Sequence, residues 1–343
     1  MRLEIEHRTL TLRSPLETSY GPVSERELLM VALTGEDGVT GYGEAAPLEP
    51  YDGVSLVSVR RALERYAPVL RDARGSGGAQ LVDACRQVED LPQAFAAIDL
   101  ALWDRAGRLA GKPVAALLSD DALTRVPVNA TISASGRAGA AEQAASSVRD
   151  GYTCVKLKVG IGDDAGRVAA TRAALGPRVA LRLDANGAWD VEEAVAAIDA
   201  LSPAGLELVE EPTHGLQAMR EVRERVATRV AIDETAAELG ALSSGIADAV
   251  CLKVSRCGGI GGLLAAAALV RASGADVYLS STLDGPLGVA AAVHAAAALA
   301  SRGPLPHCGL ATLGLFSGLE ERLAIRHGEI VVPSAPGLGL EPL

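Results

Sequence analysis

The chain has 343 residues, 49% hydrophobic and 22% charged, enough apolar material for one large barrel or two domains and too much for global disorder. A net charge of −11 and a pI of about 5.1 disfavour nucleic acid as a partner. The five cysteines are odd in number and scattered, with no Cys-x-x-Cys pair, so they suggest neither a zinc site nor a disulfide framework and fit a reducing cytoplasm.

The opening MRLEIEHRTLTLRS alternates along its length, predicts an antiparallel strand, and lacks the apolar stretch of a secretory signal. LLMVALTGEDGVTGYGEA predicts two strands joined by a turn rich in Gly and Asp. SLVSVRRALERYAPVLRD has helical spacing, RGSGGAQ reads as a flexible joint, and LPQAFAAIDLALWDRAGRLAG predicts a strong helix ended by a glycine. From about Val126 short apolar strands alternate with Ala-rich helices: VPVNATI, TCVKLKV, VALRLD, LELVE, RVAID, DAVCLK and DVYLS are the strand candidates. Seven or eight such units in about 190 residues imply a parallel sheet closed into a barrel. A dinucleotide fold is disfavoured, because no Gly-x-Gly-x-x-Gly follows a strand; CGGIGG lacks the Lys-Ser/Thr of a phosphate loop and reads as a tight strand-to-helix turn. The runs IGGLLAAAALV and LGVAAAVHAAAALA are short for a membrane span and suit closely packed helices. The tail, IRHGEIVVPSAPGLGLEPL, predicts one more strand that folds back on the N-terminal region.

The polar residues at the C-terminal ends of these strands form a pattern. The second strand gives Lys156 and Lys158, the third Asp184 and Asn186, the fourth Glu210 and Glu211, the fifth Asp233 and Glu234, and the sixth Lys253; Asp284 follows the seventh. Barrel active sites lie at this end, and successive strands are neighbours. Asp184, Glu210 and Asp233 would form an arc of carboxylates that repel unless a cation sits among them. An oxygen-only set selects a hard ion, Mg²⁺ first, and no histidine joins the arc to favour zinc. Lys158 and Lys253 would flank the ion from opposite sides. Lys156 shares the face of Lys158, and its charge would lower the proton affinity of Lys158 enough to make it a base. Such parts suit removal of a proton next to a carboxylate, with the metal neutralising the enediolate formed.

Blander roles stand beside these. KLK alone would serve as a solvated edge strand, Lys253 as a snorkelling residue, Asn186 as a helix cap and Asp284 as a turn residue. Alternation points Glu211 and Glu234 away from the site. The histidines, His7, His214, His294, His307 and His327, fit no ligand spacing and read as structural.

KLK, DAN, EEP, DET and the later LK, together with GYGEAAPL and AAIDLALWDRAGRLAGKP, resemble the enolase superfamily in its muconate-cycloisomerase-like subgroup. Sites of that superfamily pair a Lys or His base with Mg²⁺. The resemblance implies an α/β fold: a modified TIM barrel, (β/α)7β, over residues 101–319, with an N-terminal α+β capping domain over 1–100 on which 320–343 folds back. It implies Mg²⁺, with Mn²⁺ as a substitute, bound by Asp184, Glu210 and Asp233. Lys158 and Lys253 would be catalytic; Lys156, Asn186, Asp284 and Tyr51 would touch substrate or support these groups. Loops near RSPLETSYGPVS and APLEPYDG would close over a small carboxylate substrate. VPVNATI, GEAAPLEPYDG, SSTLDGPLG and CGLATLGLF look most like o-succinylbenzoate synthases, which carry out a syn dehydration in menaquinone biosynthesis. Dipeptide epimerases, N-succinylamino acid racemases and muconate cycloisomerases are the alternatives, and a ligand-binding barrel without catalysis is the non-enzymatic one. Dipeptide epimerases carry an Asp-x-Asp pair after a late strand, where LDGPLG offers one Asp. The resemblance also implies a homo-oligomer; the cysteines and the short apolar runs lead to the expectation of a cytoplasmic protein with no membrane association.

Overall fold

The structure, a computed structural model, describes residues 1–18, 21–72 and 75–343, with the Glu17 side chain left out. The expected joint RGSGGAQ and the expected lid around RSPLETSYGPVS each fall partly outside these residues. Strands Arg2–Thr18, Gly21–Thr34 and Thr40–Ala45 form an antiparallel sheet in sequence order. The run LLMVAL on the middle strand is continuously apolar because both faces are covered. Leu29, Val31 and Leu33 pack on the capping helices, and Leu28 and Met30 face the core shared with the barrel. Helices Leu56–Asp72, Gly78–Val88 and Pro92–Ala110 cover the outer face. The last of these ends at Gly111 in the left-handed conformation, as its sequence predicts. It lies backbone to backbone on the third strand: a Cβ on Gly43 would sit 2.1 Å from the Ala97 carbonyl oxygen.

The barrel strands are Ala130–Ile132, Cys154–Lys158, Ala180–Asp184, Leu206–Glu210, Val230–Ile232, Ala249–Leu252 and Asp276–Leu279, parallel and neighbouring in chain order. The ring closes through an eighth stave of two residues. Cys308 donates its N–H to the Pro127 carbonyl at 2.9 Å, and Gly309 donates to Leu279 at 2.8 Å. The fold is therefore the expected (β/α)7β barrel with its capping domain. Three details differ from the sequence reading, the third in the tail. VPVNATI splits, its first part (Arg125–Pro127) pairing with the tail rather than with the barrel. The crossover after the fifth strand is a pair of 3₁₀ turns, Glu234–Ala237 and Ala241–Ser243, not an α-helix.

The tail makes two short strands, Ile325–Arg326 and Glu329–Val331, where one was expected. Beyond them Leu338 is fastened twice: its N–H donates to Asp104 at 2.7 Å, and its carbonyl lies 3.1 Å from His294 Nε2. The motif AAIDLALWD thus acts at joints. Asp104 also accepts the Tyr42 N–H at 2.9 Å, and Asp99 accepts those of Ile260 at 2.6 Å and Gly261 at 3.3 Å, at the start of helix Ile260–Ala272. No helix among the described residues is long and apolar enough to cross a membrane.

Candidate active site

At the C-terminal end of the barrel, under the capping domain, lies a cavity of about 220 Å³. Lys156, Lys158, Asp184, Asn186, Asp233, Glu234 and Lys253 line one side of it. The other side combines Leu16, Leu48, Leu283, Ala311 and Leu315 with the hydroxyls of Thr18, Thr131, Ser133, Ser280, Ser281, Thr282 and Thr312.

The two lysines of KLK share a face and differ in their partners. Lys156 Nζ lies 2.9 Å from Asp184 Oδ2 and 2.9 Å from Glu210 Oε1. Burial works against this ammonium, but Asp184 and Glu210 outweigh it and hold its pKa above the usual lysine range. Lys158 Nζ donates to Asn186 Oδ1 at 2.8 Å, and among the described residues it has no ion-pair partner. This corrects the expectation that Lys156 acts on its neighbour as a bare like charge: two carboxylates neutralise it. Lys253 is ion-paired to Asp233 and donates to the Tyr51 hydroxyl at 2.8 Å. Its pKa also stays above the ordinary value, burial opposing and Asp233 prevailing. Tyr51 comes from the capping domain on the short helix Glu49–Asp52; its hydroxyl reaches Asp233 at 3.2 Å and accepts from Arg256 at 2.6 Å.

Of the three carboxylates, Asp184 and Glu210 are register partners on adjacent strands. Glu210, Asp233 and the Cys251 thiol have donor atoms within 4.8 Å of one another. Asp184 stands outside that group and is joined to Glu210 through the Lys156 ammonium. Burial raises the pKa of Glu210, and Asp184 and Asp233 add to the rise against Lys156. At Asp184 burial is overcome by Lys156 and Lys158, and the pKa falls. Buried acids at this density hold their charge only beside cations, and here the ammoniums serve. The oxygen donors fit a hard divalent ion. Beside them one buried oxygen, Glu234 Oε2, has no hydrogen-bond partner.

Glu234 corrects a second expectation. The strand stops at Ile232 and the chain enters a 3₁₀ turn, so alternation no longer applies and Glu234 turns into the cavity. Its Oε1 accepts from Asn186 Nδ2 at 3.2 Å, and burial followed by Asp233 pushes its pKa up to about 7. Glu211 does point away and braces this turn, accepting the N–H of Asp233 at 2.7 Å and of Thr235 at 2.9 Å. Asn186, at φ 45°, is not a cap for the following helix; Asp190 takes that place with Glu193. Asp284 is a third correction. Leu283 adopts φ 59°, and Asp284 turns behind the cavity wall, where it accepts the Thr282 N–H at 3.2 Å. It faces Glu44 of the capping domain rather than the site.

The strand-end reading missed Arg256, and it missed Cys251, Arg182 and Tyr278 one layer down. Period-two counting back from Lys253, Asp184 and Ser280 would have found those three.

Comparison with known proteins agrees with this fold. Residues 139–343 match the family model described as enolase C-terminal domain-like, and residues 1–119 match the mandelate racemase/muconate lactonizing enzyme N-terminal domain. Muconate cycloisomerase 1 of Rhodococcus opacus is 33% identical over 93% of this chain and 89% of its own. An o-succinylbenzoate synthase of Thermobifida fusca is 43% identical over 60% of this chain and 66% of its own. A dipeptide epimerase of Enterococcus faecalis, solved with Mg and the dipeptide L-Leu-L-Tyr, superposes with a TM-score of 0.88 at 27% identity, covering 98% of each chain.

Proposed function

This chain belongs to the enolase superfamily, and from that premise we propose that it removes a proton next to a substrate carboxylate, with formation of o-succinylbenzoate as the reaction it serves. Asp184, Glu210 and Asp233 would hold Mg²⁺, or Mn²⁺ in its place. When bound, the ion supplies the positive charge that an enediolate requires. Lys158 is the base: an amide oxygen holds its Nζ, and no ion pair among the described residues engages it as Asp184 and Glu210 engage Lys156 and Asp233 engages Lys253. In a syn elimination the base and the leaving hydroxyl share one face, so Lys158, once protonated, is placed to return that proton to the departing oxygen. Lys253 stays an ammonium on the opposite side, a counter-charge to the anion. Asn186 orients Lys158, and Tyr51 seats Lys253 while helping to exclude water.

The observation that carries this reading is the far wall of the cavity. Beyond the carboxylate arc and Glu234 it holds aliphatic groups and hydroxyls, and Asp284 has turned away from it. Such a wall suits an apolar ring with a neutral or anionic side arm, and among the described residues it offers no counter-charge to a substrate ammonium. The test is turnover of the hydroxycyclohexadiene carboxylate precursor with Mg²⁺ present. Loss of its absorbance, abolished by Lys158→Ala, is expected; absence of turnover rejects the lyase reading. Racemisation of N-succinylamino acids is the second reading, favoured by the two lysines on opposite sides and equally free of an ammonium. Deuterium uptake from D₂O at the α-carbon of both enantiomers would establish it, and uptake by dipeptides instead would favour epimerisation.

A further inference from the structure

The barrel interior beneath the carboxylates is charged where such interiors are ordinarily filled by branched apolar residues. Arg182 on the third strand is 0% exposed. Its Nε and Nη2 donate to Glu207 at 2.8 and 3.2 Å, and its Nη1 donates to the His307 carbonyl at 2.7 Å. The guanidinium carbon lies 5.0 Å from the centre of the Tyr278 ring. Tyr278, on the seventh strand, reaches across the barrel and donates its hydroxyl to Glu210 Oε2 at 2.8 Å. The other oxygen of Glu210 faces Lys156 at 2.9 Å. The phenol is thus held at both ends, its face by a buried cation and its tip by a carboxylate.

The geometry points to Tyr278 as a positioning residue for the metal site: its hydroxyl occupies one Glu210 oxygen and turns the other toward the cation cluster. This rests on the reading of Glu210 as a metal ligand. Partners that orient a ligating group in this way are worth 10- to 100-fold in metal affinity. Arg182, with Glu207 beneath it, explains how the phenol keeps its angle without help from the strand-end residues.

The experiment is a calorimetric Mg²⁺ titration of the full chain, with Mn²⁺ binding followed by electron paramagnetic resonance, on wild type, Tyr278→Phe and Glu210→Gln. Tyr278→Phe keeps the ring and its contact with Arg182, and its metal-free melting curve checks that it is folded. It is expected to weaken Mg²⁺ binding about 10-fold or more. The Mg²⁺ concentration needed for half-maximal activity should rise with it, while kcat at saturating Mg²⁺ returns near wild type, a pattern that a merely structural hydroxyl would not produce. Wild-type affinity in folded Tyr278→Phe overturns the inference alone. A wild-type protein that binds no divalent ion, or a Glu210→Gln variant that binds as wild type does, overturns the ligand reading and this inference with it.

Discussion

Lys156 and Lys158 are two residues apart on one face of one strand, yet substitution should separate them cleanly. Lys158→Ala removes the proposed proton acceptor and breaks no ion pair among the described residues; kcat should fall by at least about 10²-fold with little change in melting temperature. Lys156→Ala leaves Asp184 and Glu210 buried without their shared cation, a loss of about 3 kcal/mol or more in the metal-free protein. Added Mg²⁺ should then raise the melting temperature of Lys156→Ala more than that of wild type; an equal rise would mean that the ion does not share these carboxylates. Much of this arrangement was visible in the residues themselves, because alternation and neighbouring strands place Lys158, Asp184 and Glu210 without coordinates. What escaped did so for local reasons. Glu234 lies past the end of its strand, and the direction of Asp284 hangs on one positive φ at Leu283. Tyr278 sits a layer below the residues that the motifs mark.

The helix Pro92–Ala110 joins the two parts of the molecule through single side chains, and its contributions can be tested one at a time. Asp99→Ala strips the start of helix Ile260–Ala272 of the acceptor for two backbone N–H groups. Denaturant unfolding should show a loss of about 1 kcal/mol, within the usual range for a lost cap. The helices Leu56–Asp72 and Pro92–Ala110, with clear 3.6-residue spacing, were predicted nearly to the residue, whereas Gly78–Val88 was not, its first three residues having read as part of a joint. The fifth crossover was not: TAAELGALSSGIAD has no apolar stripe, and its glycines at 240 and 245 take positive φ, so the chain turns where other units coil. VPVNATI read as one strand because its composition is uniform, whereas its pairing partner changes from the tail to the barrel partway along.

The capping domain and barrel meet at a pair of buried acids, Glu44 and Asp284, whose pairing the sequence did not show, since GYGEA and SSTLDG come together only in three dimensions. A Cβ on Gly288 would lie 2.6 Å from Glu44 Oε1 and 2.9 Å from Asp284 Cβ, and Arg26 donates to the Pro47 carbonyl at 2.9 Å nearby. Burial, then Asp284, pushes the Glu44 carboxyl up to about 8 from an ordinary 4.5. The folded chain keeps this proton where the unfolded chain releases it. The stability it contributes is therefore complete below about pH 4.5 and drains away as pH climbs through 8, on the order of 5 kcal/mol in all. Melting curves from pH 5 to 9 should fall for wild type and flatten for Glu44→Gln; parallel curves would show that Glu44 ionises no differently in the folded chain. The two-residue stave at Cys308 and Gly309 has a consequence of another kind. A hoop fastened by so short a clasp opens first at the clasp, and amides there wait on breathing rather than on global unfolding. In deuterium, Cys308, Gly309 and their partners Asn129 and Ser281 should exchange well before the amides of Lys156 or Leu183, tracing a seam down one side of an otherwise tightly hooped cask.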